Sequence, residues 1–170
     1  ATVSKPEPLR PTPAPAMRAS TPAPLSPNPE TQTARSSHFD QALRAQRAGN
    51  AEEAARHYLA AIADDNRNVE ARNNLGLLYR SRGLTAQAIE QFRQALAVDP
   101  RYVNARNSLA VLLMDDGRVS QARDELSAGL AVDSRNVDLL VNLALVENSD
   151  RHPDRALELL LRAVGERPDR

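Results

Sequence analysis

Apolar positions along this chain recur at helical spacing, in short runs separated by polar turns. The clearest run is 69–102, VEARNNLGLLYRSRGLTAQAIEQFRQALAVDPRY. Its first half carries Leu75, Leu78 and Tyr79 on one side, with Gly76 beside them. Gly83 interrupts the pattern. The second half sets Ala88, Ile89, Phe92, Ala95 and Leu96 on one helical face. Asp99-Pro100 closes it, because proline cannot continue a helix and disfavours the α conformation in the residue before it. The pattern predicts two amphipathic helices joined by a tight turn.

The same pattern returns at a shift of 34 residues. Ala54, Ala88, Ala122 and Ala156 form one column, and Ala61, Ala95, Gly129 and Ala163 another. Tyr58, Phe92, Leu126 and Leu160 form a third. Ala42, Gly76, Ala110 and Ala144 form a fourth, preceded by Gln41, Leu75, Leu109 and Leu143. Gly49, Gly83, Gly117 and Arg151 form the turn column. Small residues are expected where paired helices cross closely, since overpacking there costs roughly 1–3 kcal/mol. The third column is expected to fill the space between helices. One hairpin cannot bury its own apolar face, so stability must come from stacked neighbours.

Leu75-Gly76-Leu77-Leu78-Tyr79, then Ala88, Phe92, Ala95 and Pro100, at a fixed period, resembles the tetratricopeptide repeat (TPR). The resemblance covers 35–170 as four units, 35–68, 69–102, 103–136 and 137–170. The family's leading Trp is replaced by His38, Arg72, Arg106 and Leu140, and Ala45 and Glu147 stand where Tyr79 stands. The resemblance implies an all-α solenoid of helical hairpins in a right-handed superhelix. Expected helices in the first repeat are Ser36–Ala48, capped by Ser36 or Ser37, and Ala51–Asp64. In the fourth repeat Pro153 is expected to open the last helix, where a missing N–H costs nothing.

Residues 1–34 read differently. Pro6, Pro8, Pro11, Pro13, Pro15, Pro22, Pro24, Pro27 and Pro29 crowd a stretch otherwise rich in Ala, Ser and Thr. It is expected to be a disordered linker with polyproline II character, because it cannot bury enough apolar area to offset chain entropy. Its Lys5-x-x-Pro8-x-x-Pro11 spacing matches an SH3-ligand pattern, which so proline-rich a stretch also produces by chance.

Composition narrows the function. Lys+Arg and Asp+Glu are equal at 22 each, without the basic footprint that nucleic-acid binding requires. There is no cysteine, hence no disulfide, zinc-thiolate site or thiol nucleophile. Apolar runs are too short to insert directly into a membrane. Residue 1 is Ala rather than Met and the sequence contains no signal peptide, so the chain reads as a fragment or processed product, which leaves room for an anchor or signal ahead of it. A periplasmic or membrane-anchored setting is preferred over a cytoplasmic one.

Chemistry is thin. Glu53 and His57 suit an i,i+4 surface pair, with no second ligand or base joining them. Asp115 and Asp116 read as solvated acids at a helix end. No phosphate-binding glycine loop or nucleophile motif appears. The expectation is a protein that is not an enzyme, with no catalytic residue, cofactor or metal.

By resemblance, the concave face is drawn from the first helix of each repeat. Four columns supply it: Phe39, Asn73, Asn107 and Val141; Asp40, Asn74, Ser108 and Asn142; Leu43, Leu77, Val111 and Leu145; Gln46, Arg80, Met114 and Asn148. The apolar column is either hairpin core or a stripe for a partner peptide or helix, with Met114 as an adaptable neighbour. The asparagines offer donor and acceptor together, suited to a peptide backbone, or are simply solvated. Cations of a chaperone-tail clamp are missing from the matching positions. At the C-terminal end Leu157, Leu160, Leu161 and Val164 form an apolar stripe, and Leu159 is apolar where the other repeats have His57, Gln91 and Glu125; Leu157, Leu159 and Leu161 suggest a second interface.

The favoured reading is a protein-interaction scaffold whose groove binds a partner peptide or helix, in a bacterial secretion or pilus assembly complex. The alternatives are a homo-oligomer built through the repeat ends and a regulatory segment of a larger enzyme.

Overall fold

A computed structural model describes residues 29–166, with side chains from His38 onward. The linker expected over 1–34 therefore lies mostly outside the described residues, as does its SH3-like spacing. Among the described residues there are eight helices and no strand: α1 (Pro29–Arg47), α2 (Ala51–Asp64), α3 (Val69–Ser81), α4 (Thr85–Val98), α5 (Val103–Asp115), α6 (Val119–Val132), α7 (Val137–Ser149) and α8 (Pro153–Gly165). They pair as four hairpins, α1 with α2 through α7 with α8, and each hairpin packs on the next through α2–α3, α4–α5 and α6–α7. This is the expected all-α solenoid.

The turns obey the sequence. Gly49, Gly83 and Gly117 take φ of +80°, +73° and +72°, a left-handed conformation that glycine adopts without a Cβ clash. Arg151 occupies the fourth copy of that turn at φ +63°. Asn68 and Asn136 cap α3 and α7 by accepting from the backbone N–H of Ala71 and Leu139. Pro153 opens α8 as expected. The first helix departs from expectation. It begins at Pro29, so Ser36 and Ser37 lie inside it and neither is its N-cap. Pro29 suits a first helical position, and TQTAR over 31–35 contains no helix breaker.

The small columns are buried throughout, including Ala54, Ala88, Ala122 and Ala156. Gly76 shows why. A Cβ there would come within 2.6 Å of Phe92 Cε1, so any side chain would push α3 off α4. Tyr58, Phe92 and Leu126 are wholly buried. Leu160, expected to fill the same role, is 42% exposed, because no helix among the described residues follows α8 to cover it.

Polar braces stand where the family's Trp is absent. His38 Nδ1 lies 2.7 Å from Asp64 Oδ2. Arg72 Nη1 donates to Gln94 Oε1 at 2.6 Å, and Arg106 Nη1 to Glu125 Oε2 at 2.6 Å. Each ties the first helix of a hairpin to the second. Leu140, the fourth of the column, is buried instead.

Candidate partner-binding groove

The inner side of the solenoid follows from which helices touch across repeats. α3 packs on α5 and α5 on α7, whereas α2, α4, α6 and α8 make no comparable contact with one another. The array therefore curves with its first helices inside, and the four expected columns lie on those helices.

The structure sorts those columns. Leu43, Leu77 and Val111 are half-buried, and Leu43 and Leu77 pack against the core. Leu145, the fourth of that row, is 51% exposed. Phe39 is half-buried, its ring tilted on Tyr58 with centroids 5.9 Å apart. Val141 and Met114 are also half-buried and pack against the core. Arg80 is exposed and lines a cleft of about 260 Å³ with Thr85, Leu112, Asp115 and Asp116.

Asn73 overturns one expectation. It is buried at 5% exposure, so it is not a solvated groove residue. Its Nδ2 lies 3.5 Å from Asn74 Oδ1, and its own Oδ1 has no partner. Asn74, Asn107 and Asn142 are half-buried. Asn142 Nδ2 donates to Asn107 Oδ1 at 2.7 Å, joining the third and fourth repeats across the groove. Near the other end, the Tyr58 hydroxyl donates to Gln46 Oε1 at 2.5 Å. Burial pushes the Tyr58 phenol above its ordinary pKa, and a hydrogen bond with Asn74 partly opposes that rise.

At the C-terminal end Leu157 and Leu161 are exposed, at 58% and 63%. Leu159 is not. It is buried, and lines a cleft of about 230 Å³ between α7 and α8 with Leu143 and Glu147. Its place in an end interface is corrected accordingly.

Two clusters escaped the sequence reading. The His38 and His57 rings stack with centroids 6.2 Å apart, so His57 does have a neighbour beyond Glu53. Among the described residues no group of three metal-ligating side chains forms. The second cluster surrounds Glu147, a buried carboxylate. Arg123 Nε donates to it at 2.8 Å, and His152 Nδ1 lies 3.1 Å away. Arg123 also bonds Asp150. These two carboxylates raise the Arg123 pKa further above its ordinary value. The signal was present in the columns: Arg123 replaces Ala55 and Ile89, and Glu147 replaces Tyr79 and Leu113.

Such an array of stacked helical hairpins with a curved inner face belongs to the helical-repeat scaffolds. Tetratricopeptide repeat models match residues 39–102 and 79–137. The chain belongs to the TPR family, and its repeats form a protein–protein interaction scaffold. Similar solved structures agree on the fold. A crystal structure of the MamA protein is 26% identical, with a TM-score of 0.71 over 82% of this chain and 74% of that one. The pilF protein of Pseudomonas aeruginosa is 22% identical, with a TM-score of 0.74 over 83% of this chain and 64% of that one. The Arabidopsis OM64 TPR domain is 16% identical, with a TM-score of 0.65 over 70% of this chain and 98% of that domain. No curated protein matches the chain in sequence. No helix among the described residues is long and apolar enough to cross a membrane.

Proposed function

We propose that the protein is a non-enzymatic scaffold whose inner face binds a peptide or helix of a partner protein. The observation that carries this is the row Leu43, Leu77, Val111 and Leu145, one residue per repeat, flanked by Asn74, Asn107 and Asn142. Its half-buried members hold the helices in place, and Leu145 at 51% exposure offers an apolar contact. The asparagines supply donors and acceptors to a partner backbone. The setting we favour is a bacterial envelope assembly, secretion or pilus machinery, with the proline-rich segment spacing the repeats from an anchor. The layout of the chain supports that setting.

The experiment immobilises the full chain and recovers partners from lysate of the source cells. A control carries Leu145→Glu with Asn142→Ala, after circular dichroism confirms its fold. Partners held by the parent and lost by the control place binding at the inner face. Equal retention by both would sink the groove reading.

A further inference from the structure

The C-terminal face of α8 is built like the three internal joints, and those joints state what would cover it. Leu160 holds the position of Tyr58, Phe92 and Leu126, each wholly buried. Leu157 holds that of Ala55, Ile89 and Arg123, all covered at least in part by the next repeat. Val164 holds that of Ile62, Leu96 and Leu130, which pack against the core. On α8 these three are 42%, 58% and 69% exposed. An uncovered apolar face of this kind marks an interaction site.

The internal joints also read out the covering helix. What lies on α2, α4 and α6 is the face of α3, α5 and α7 carrying residues i, i+4, i+7 and i+8. On α5 these are Ala105, Leu109, Leu112 and Leu113, all buried. On α7 they are Leu139, Leu143, Val146 and Glu147. Position i answers the size of its partner. Where α6 has Gly129, α7 has Leu139, and a Cβ on Gly129 would lie 2.8 Å from Leu139 Cδ1. Where α2 and α4 have Ala61 and Ala95, the following helix has Ala71 and Ala105. Position i+8 answers the polarity of its partner. Arg123 meets Glu147, whereas Ile89 shares its core with Leu113. On α8 the matching residues are Ala163 and Leu157. They ask for a small residue at i and an apolar one at i+8.

We infer that the α8 face is a docking site for an amphipathic helix of another protein bearing Ala-x3-Leu-x2-Leu-apolar, the face of α5 and not that of α7. It continues the joint already repeated three times along the array. A second copy of this chain does not supply such a helix. Its α1 presents Gln41, Arg44 and Ala45 at the equivalent positions. Elsewhere in the sequence the Ala-x3-Leu-x2-Leu pattern occurs only in α3 and α5, where it is already buried. The register also separates neighbours on α8. Leu161 holds the position of Leu59, Arg93 and Ser127, which stay exposed even where a repeat follows. It lies at the rim of this site, outside the contact.

The test uses two helix-stapled, fluorescein-labelled peptides, copies of residues 101–117 and 135–151, titrated against the full chain by anisotropy. The α5 copy binds saturably, at least about tenfold tighter than the α7 copy. Leu160→Glu weakens it by at least about tenfold, and Leu161→Glu by less than about twofold. Circular dichroism must show both variants folded. Leu145→Glu leaves peptide binding unchanged, so this site and the inner face stand or fall separately. Three results overturn the inference: no binding of the α5 copy up to about millimolar, equal binding of both peptides, or equal loss on Leu161→Glu. Sedimentation of the chain alone adds a fourth. A dimer dissolved by Leu160→Glu would make the occupant a second copy.

Discussion

The joint between the second and third repeats and the joint between the third and fourth use the same two positions with opposite chemistry. In the first, Ile89 and Leu113 belong to one apolar core, at 9% and 2% exposure. In the second, Arg123 reaches Glu147 across the joint and also bonds Asp150. The backbone is alike at both, so the difference isolates what the side chains contribute. An apolar joint draws on burial and tolerates imperfect geometry. An ionic joint needs every partner in place, because a buried carboxylate that loses its donor keeps the full cost of leaving water. A repeat array can carry both, since each unit is stabilised mainly by its neighbours.

The largest effect lies at the apolar joint. Leu113→Ala removes a side chain with 2% exposure and is expected to cost about 2–5 kcal/mol. Because the joint is central, its weakening uncouples repeats 1–2 from repeats 3–4. Denaturant unfolding followed by circular dichroism is then expected to broaden or split. A single transition at the parent's midpoint would mean that Leu113 does not hold this joint.

The ionic joint behaves asymmetrically. Arg123→Ile strands Glu147, whose side chain is 6% exposed, with His152 and the more distant Arg155 as remaining partners. The expected loss is about 2–3 kcal/mol. Glu147→Leu costs less, about 1 kcal/mol, because the Arg123 side chain is 27% exposed and keeps Asp150. The double variant copies the Ile89–Leu113 pair and is expected to return to within about 1 kcal/mol of the parent. A double-mutant cycle by urea unfolding decides the matter. Additive losses would show that the two joints are not interchangeable.

How much of this was legible in the sequence differs by column. The period, the turns and the buried small residues were readable, because each depends on one residue type at one spacing: Gly83 for a left-handed turn, Ala88 for a close crossing. The exposure of the groove was not. Asn73 and Asn107 share a column, yet one is buried and the other half-exposed. Burial there depends on the neighbouring repeat, which a column does not carry. Leu159 failed for the same reason. Leu159 was judged by its difference from His57, Gln91 and Glu125, but α7 covers it. Leu160 carried two readings, a filler between helices like Phe92 and a member of the terminal apolar stripe; with no helix among the described residues following α8, its 42% exposure fits the second. The Arg123–Glu147 pair was written in two columns whose departures only make sense together.

The joint between the first and second repeats stands between the other two, and the smallest expected effect tests it. Ala55 and Tyr79 pack with its apolar core, yet wholly buried Tyr58 adds a polar fastening by meeting Asn74 of the second repeat, while its hydroxyl donates to Gln46 within the first. Tyr58→Phe keeps the ring and removes the hydroxyl, at a cost of about 0.5–1.5 kcal/mol near neutral pH. Its alkaline behaviour is more telling. Burial raises the Tyr58 pKa in the folded state, so the folded protein holds that proton more tightly than the unfolded chain. Stability from this group is complete below the ordinary tyrosine pKa of about 10 and falls as pH rises beyond it. Burial raises Tyr102 in the same direction, so the parent carries two such contributions. Tyr58→Phe is expected to flatten the loss of stability above about pH 10 without abolishing it. Unfolding free energies measured across that range for parent and variant give the comparison. Parallel slopes would mean that the Tyr58 hydroxyl reaches solvent and that the first joint is apolar like the second.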